Sequence, residues 1–236
     1  MAIRIVVADN TYVQHAQAIC DLIYISAQQR GTGIANRTPE YIAKKISQGK
    51  AVLALDGNKV VGFAYIETWS HGVFVANSGL VVEHSYRNTG LARRIKKAVF
   101  ELSRKLYPNA KIFSITTGLA VMKLNSELGY VPVTFSELTH DLEFWKGCEG
   151  CKNYDILQRN EYKMCLCTGL MFDPLKKKTQ KKGVLMIIPQ RLPWRFLFVR
   201  PVVFFKRLFQ RQRLKIKRFF LHREIDKKNK QKINLN

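Results

Sequence analysis

Arg87-Asn88-Thr89-Gly90-Leu91-Ala92 lies between an apolar run ending at Val81-Val82 and a basic, periodic segment, Leu91 to Leu106. In that segment Leu91, Ile95, Ala98, Val99 and Leu102 recur on one face at helical spacing, with Arg93, Arg94, Lys96 and Lys97 elsewhere. The stretch is therefore a turn at the mouth of a helix. Such a turn directs several backbone N–H groups and the positive end of the helix dipole at one spot, which suits a pyrophosphate. Gly90 lets the backbone approach an anion closely, and small Ala92 keeps the first helical turn clear. Six residues alone fit an ordinary surface turn equally well, so the reading depends on the flanking chain.

Upstream, Ile3–Val7 is a β-branched strand, and Asp9 or Asn10 caps a helix carrying Val13, Ala16, Ile19, Cys20 and Ile23 on its apolar stripe. Cys20 is expected to be a core thiol. A glycine-bearing loop, Arg30 to Arg37, precedes a second helix capped by Thr38, with Pro39 at its first position and Gly49 after its end. Ala51–Leu55 and Lys59–Thr68 form a hairpin about Asp56-Gly57-Asn58, and Phe74–Val82 is the strand that enters the phosphate turn. Downstream, Lys111–Thr117 is a strand and Leu119–Leu128 a helix closed by Gly129.

With these elements in place, the chain resembles the GCN5-related N-acetyltransferase (GNAT) family over roughly residues 3–135. Arg87, Gly90 and Ala92 fit that family's coenzyme A loop, Gln/Arg-x-x-Gly-x-Gly/Ala, and Leu128-Gly129-Tyr130 fits its leucine-glycine-aromatic step. The resemblance implies an α/β fold with a mixed central β-sheet flanked by helices. It also implies acetyl-CoA as acyl donor, with Val81, Val82, Arg87, Asn88, Thr89, Gly90, Leu91 and Ala92 as cofactor-binding residues. Backbone donors around Val81-Val82 would polarise the thioester carbonyl, and the pantetheine arm would lie in the gap between that strand and the next, pairing as an extra strand would. Arg93, Arg94, Lys96 and Lys97 are expected in solvent or near the adenosine phosphates. The loop Arg30–Arg37 would cover the acceptor, where Arg30 or Arg37 could hold a carboxylate.

Acyl transfer needs a neutral amine, so a carboxylate or imidazole must stand near the acyl carbon. Glu67, His71 and Glu83 are the titratable residues near the strand ends, and Glu67 and Glu83 are the candidates. Many members of the family carry a tyrosine as general acid four residues before the glycine of Leu128-Gly129-Tyr130. Here that residue is Asn125, which can donate a hydrogen bond but cannot protonate a thiolate. A weaker resemblance links the module to small acetyl- or succinylglutamate synthases of arginine biosynthesis. The expected reaction is therefore transfer of an acetyl or succinyl group to the amine of an amino acid such as glutamate. The competing class is a catalytically weak binding module.

Residues 136–175 fall outside the resemblance and form a Cys-rich extension expected to pack on the core. Cys148, Cys151, Cys165 and Cys167 make a Cys-x-x-Cys followed by a Cys-x-Cys, matching a structural tetrahedral zinc in number and ligand type. Thr139–Lys146 is expected to be one short helix. Half of the 40 lysines and arginines lie in residues 176–236, against only Glu224 and Asp226, so most of the formal charge of +23 belongs to this tail. Its basic and aromatic residues alternate, a composition able to meet RNA or an anionic membrane surface. Met1 to Asp9 reads as a strand rather than a secretion signal, and no run reaches the roughly 18 apolar residues of a membrane span. A cytoplasmic protein is expected.

Overall fold

A computed structural model describes residues 2–30 and 37–176. A seven-stranded mixed sheet organises them. β1 (Arg4–Val7), β2 (Ala51–Asp56), β3 (Lys59–Trp69) and β4 (Phe74–Val82) pair antiparallel in succession. The β2–β3 hairpin closes with Asp56 opposite Lys59, and Gly57 takes the positive φ of 58° that this tight turn demands. β5 (Lys111–Thr116) then runs parallel to β4, reached through α3 (Leu91–Leu106). Such a parallel step needs a crossover of this length.

Helices cover both faces. α1 (Ala16–Arg30) and α2 (Pro39–Ser47) lie on one, where Ile19, Ile23, Ile42 and Ile46 pack against Leu53, Phe63 and Tyr65. α3 lies on the other, with Leu91, Ile95, Val99 and Leu102 against Val52, Ala64, Ile66 and Val75. Thr38 caps α2 through its side chain with Pro39 in the first turn, as its residues require. Asp9 accepts from Thr11 N at 2.9 Å, but it caps a short 3-10 turn, Asn10–His15, that precedes α1. Cys20 is buried in the α1 core.

The segment beyond residue 135 enters the sheet rather than lying on it. β7 (Thr168–Phe172) is inserted between β5 and β6 (Val131–Val133), antiparallel to both. α4 (Leu119–Glu127) connects β5 to β6. The expected single helix over Thr139–Lys146 is shorter, α5 (Leu142–Lys146), because Asp141 caps Glu143 N and the preceding residues turn. With α6 (Tyr154–Arg159), this part builds an aromatic core of Phe135, Phe144, Trp145 and Phe113. No helix among the described residues is long and apolar enough to cross a membrane. The basic tail expected to meet RNA or a membrane lies outside the described residues, apart from Lys176.

Two features of β4 open the sheet along its edge. β4 and β5 pair only at Phe74–Ala76 with Lys111–Phe113, and beyond that point they hold no register. On its other edge, β4 pairs with β3 at Phe63↔Val81 and then at Tyr65↔Ser78, so Gly79 and Leu80 stand opposite Ala64 alone. This is a β-bulge, which bends the strand and raises its twist. Gly79 sits at φ 67°, and a Cβ there would lie 2.5 Å from Cε1 of Tyr65. Only glycine meets both conditions. Gly79→Ala is expected to destabilise the domain by about 1–3 kcal/mol through overpacking and left-handed strain, read as a lower urea midpoint at unchanged slope.

Candidate active site

A cavity of about 420 Å³ opens where β4 and β5 separate. Asn77, Ser78, Gly79 and Leu80 line it from β4, and Ser114, Ile115 and Thr116 from β5. These are the first residues past the last β4–β5 pairing. The strand edges there have no ladder partner in each other, so their backbone N–H and C=O groups can pair with an extended ligand. Val81 and Val82, around which thioester-polarising backbone donors are expected, bury their side chains on opposite faces of the sheet and do not line the cavity. The bulge two residues earlier is what borders the cavity.

At the end of β4 the chain makes a 3-10 turn, His84–Tyr86, and reaches α3 through Arg87–Gly90. Asn88 and Gly90 take φ of 64° and 79°, and no side chain caps the first turn of α3. Thr89 Oγ1 donates to Tyr86 O at 2.7 Å and so ties the turn to itself. Arg87 Nε donates to Val82 O at 3.1 Å, and its Nη2 donates to Gln29 Oε1 at 3.0 Å. Arg87 thus fastens the turn to β4 and α1, an anchoring role that sequence pattern does not distinguish from contact with a ligand. Leu91 is buried beneath the helix start and Ala92 is partly buried against the same core.

On the α1–α2 face the cavity wall carries a charged network. Arg37 Nε donates to Tyr65 OH at 2.9 Å, and Tyr41 OH donates to Glu67 Oε1. Lys45 Nζ reaches the same carboxylate oxygen at 2.9 Å. The Tyr41 and Tyr65 rings meet edge to face, with centroids 5.9 Å apart, and the Arg37 guanidinium lies 5.5 Å from the Tyr41 ring centre. Burial, reinforced by nearby groups including Glu67, raises the Tyr41 hydroxyl far above its ordinary value, and burial likewise raises Tyr65. Both therefore act as neutral hydrogen-bonding groups. Arg30 ends α1, but its side chain and residues 31–36 lie outside the described residues.

Glu83 stands apart from the cavity lining. Its Oε1 pairs with Lys59 Nζ at 2.7 Å on the hairpin side. His71 lies in a left-handed turn at φ 54° and also does not line the cavity. Asn125 is fully buried in α4 with neither amide atom hydrogen-bonded, and it too is outside the lining. Lys96, expected in solvent or near the adenosine phosphates, is instead 2% exposed and contributes to the cavity wall. It adjoins Ile95 on the side of α3 that packs against the sheet. The lysine's charge masks that placement in any hydropathy pattern.

The four clustered cysteines lie together around a small cavity of about 20 Å³, and Cys148, Cys151 and Cys167 also border the large one. The expected zinc site is nevertheless not supported. No group of three or more His, Cys, Asp or Glu among the described residues is arranged to hold a metal ion. Cys165 Sγ is instead directed at the carbonyl of Asn153, 3.7 Å away. Burial pushes the Cys148 thiol up to about 11 and Cys167 up to about 12, with neighbouring cysteines adding to it. All four are free.

Residues 36–123 match the model of the acetyltransferase (GNAT) family. This stretch, well under half of the chain, is therefore similar to that family. No curated protein matches the sequence. Among solved structures, N-acetylglutamate synthase from Neisseria gonorrhoeae, complexed with coenzyme A and N-acetyl-glutamate, is similar in fold at a TM-score of 0.52 and 15% identity. That match covers 73% of this chain, which spans 35% of the synthase. The protein yncA from Salmonella typhimurium, solved with its cofactor acetyl-CoA, is similar at a TM-score of 0.52 and 14% identity, over 75% of this chain and 96% of its own.

Gly90→Val tests the turn before α3. No atom lies within 4 Å of a Cβ at this position, so the domain should remain folded, while a branched residue at φ 79° distorts the backbone. Coenzyme A affinity is expected to fall at least tenfold, about 1.4 kcal/mol, in a calorimetric titration of the folded variant.

Proposed function

We propose that this domain transfers an acetyl group from its coenzyme A thioester to the amine of an amino acid, with glutamate as acceptor. The observation that carries this reading is that Arg37, bonded to Tyr65, and Glu67, bonded to Tyr41, line the wall of one cavity. A cation and an anion in one wall suit a zwitterion, whose carboxylate would face the guanidinium and whose ammonium would face the carboxylate. Glu67 is 8% exposed and fixed by Lys45 and Tyr41, so it is placed to take a proton from that ammonium, directly or through water.

Coenzyme A would place its pyrophosphate at the turn Arg87–Ala92, against backbone N–H groups at the start of α3. Its pantetheine arm would run down the open edge of β4 toward Asn77, a span of about 17 Å for five strand residues. The thioester carbonyl would then meet the backbone of the bulge at Ser78–Leu80, where fixed donors can stabilise the developing oxyanion. The synthase from Neisseria gonorrhoeae, solved with coenzyme A and N-acetyl-glutamate, lends this choice of acceptor support. Residues 1–135 would form the acyltransferase core and 136–175 an extension that completes the cavity wall through Glu143, Phe144 and Gly147.

Glutamate, aspartate, ornithine, spermidine and a short peptide assayed with acetyl- and succinyl-CoA test the assignment. Arg37→Ala should lower kcat/KM for glutamate roughly ten- to a hundredfold, as expected for a charge-assisted contact of about 1.5–3 kcal/mol, and leave coenzyme A affinity unchanged. Arg37→Lys should restore only part of it, because an ammonium lacks the planar fork. Preference for spermidine or the peptide, or glutamate kinetics indifferent to both substitutions, overturns the acceptor.

A further inference from the structure

Acyl transfer from a thioester expels a thiolate, and that sulfur must acquire a proton. Asn125, at the position where this family commonly carries a tyrosine, has no proton to give, and its amide is buried away from the cavity. The cavity wall contains a buried ammonium that does. Lys96 stands on α3 with 2% of its surface exposed, and no ion pair involving it exists among the described residues. Burying an ammonium without a counter-charge is costly, and such groups concentrate at functional sites.

Its surroundings are ordered around one acceptor. Lys96 Nζ donates to Asn77 Oδ1 at 3.1 Å, and Tyr130 OH donates to the same oxygen at 2.9 Å. Asn77 Nδ2 donates to Ser103 Oγ at 2.8 Å, and Ser103 Oγ donates to Val99 O at 2.8 Å. The carboxamide is thus fixed on three sides and holds Nζ, which also lies 5.0 Å from the centre of the Tyr130 ring. An ammonium has three N–H donors, and Asn77 accepts from one.

Lys96 also stands where the leaving group would depart. Asn77 is the first β4 residue past the last β4–β5 pair, so Lys96 is held at the apex of the gap. It approaches from the α3 face, whereas Glu67 approaches from the α1–α2 face, and one cavity reaches both. We propose that Lys96 donates the proton that converts the departing thiolate of coenzyme A to the thiol. This rests on the acyl-transfer reading above.

In the reaction, the acceptor nitrogen bonds to the acetyl carbon, and the carbon–sulfur bond breaks with its electron pair passing to sulfur. A proton moves from Lys96 Nζ to that sulfur, leaving a neutral amine. The acceptor ammonium gives up two protons in becoming an amide: one restores Lys96 through solvent, and the other is released. Burial lowers Lys96 from the ordinary lysine value to about 7, near the value at which a general acid is most effective at neutral pH. The groups facing it are Asn77 from β4, Ser103 from its own helix and Tyr130 after α4. Burial raises Tyr130 well above its ordinary value, so all three are uncharged at neutral pH. Arg37, Glu67 and Glu143 share the cavity and make no hydrogen bond or ion pair with Lys96.

The experiment uses full-length protein and Lys96→Met, an unbranched apolar replacement that removes the buried charge and should fold with an equal or higher Tm. Calorimetric titration without any acceptor first shows that both proteins bind coenzyme A with similar affinity. With the best amine, kcat should fall about a hundredfold or more. The native kcat/KM should decline as pH rises through about 7 and the acid loses its proton, a limb that the variant should lack. If both proteins bind coenzyme A and show equal kcat with the same pH profile, Lys96 is a structural lysine and the proposal falls. If neither binds coenzyme A, the acyl-transfer reading itself fails.

Discussion

Everything functional in this domain depends on the failure of β4 and β5 to remain paired. They share three residues of parallel register and then part, and an unpaired strand edge inside a protein must find hydrogen-bonding partners elsewhere. The bulge at Gly79–Leu80 supplies the bend, and the Tyr65 ring packed on Gly79 holds it. The same residue, Tyr65, takes the hydrogen bond of Arg37. One aromatic side chain therefore couples the shape of the strand to the orientation of the cavity's arginine.

The sheet is completed by a part of the chain whose own pattern suggested an extension packed on the core. β7 pairs along five residues of β5 and three of β6, so it occupies an interior position and buries Leu170 and Met171. α5 brings Phe144 and Glu143 to the cavity, and the cysteine-bearing turns form part of the same wall. The GNAT family match ends at residue 123, yet the cavity of this chain is not closed without residues well beyond it.

Two charged groups approach the gap from opposite sides of the sheet. Glu67 is bracketed by Lys45 and Tyr41, whereas the partners of Lys96 among the described residues are neutral. That asymmetry gives the two groups different chemical characters. Burial without a counter-charge presses the Lys96 ammonium to release its proton.

The pattern of residues determined much of this by itself. Periodicity placed α3, Thr38-Pro39 marked the start of α2, Asp56-Gly57-Asn58 the hairpin, and Arg87–Ala92 the turn ahead of α3, because each depends on local backbone preference or on burying one face. Tertiary structure decided the rest. The bulge at Gly79, the insertion of β7 and the gathering of the four cysteines around one small cavity are set by contacts between segments far apart in the chain. No local preference encodes them. Lys96 is the sharpest case: a lysine in an amphipathic helix reads as solvent-facing, and only the packing of α3 over Asn77 and Tyr130 turns it inward.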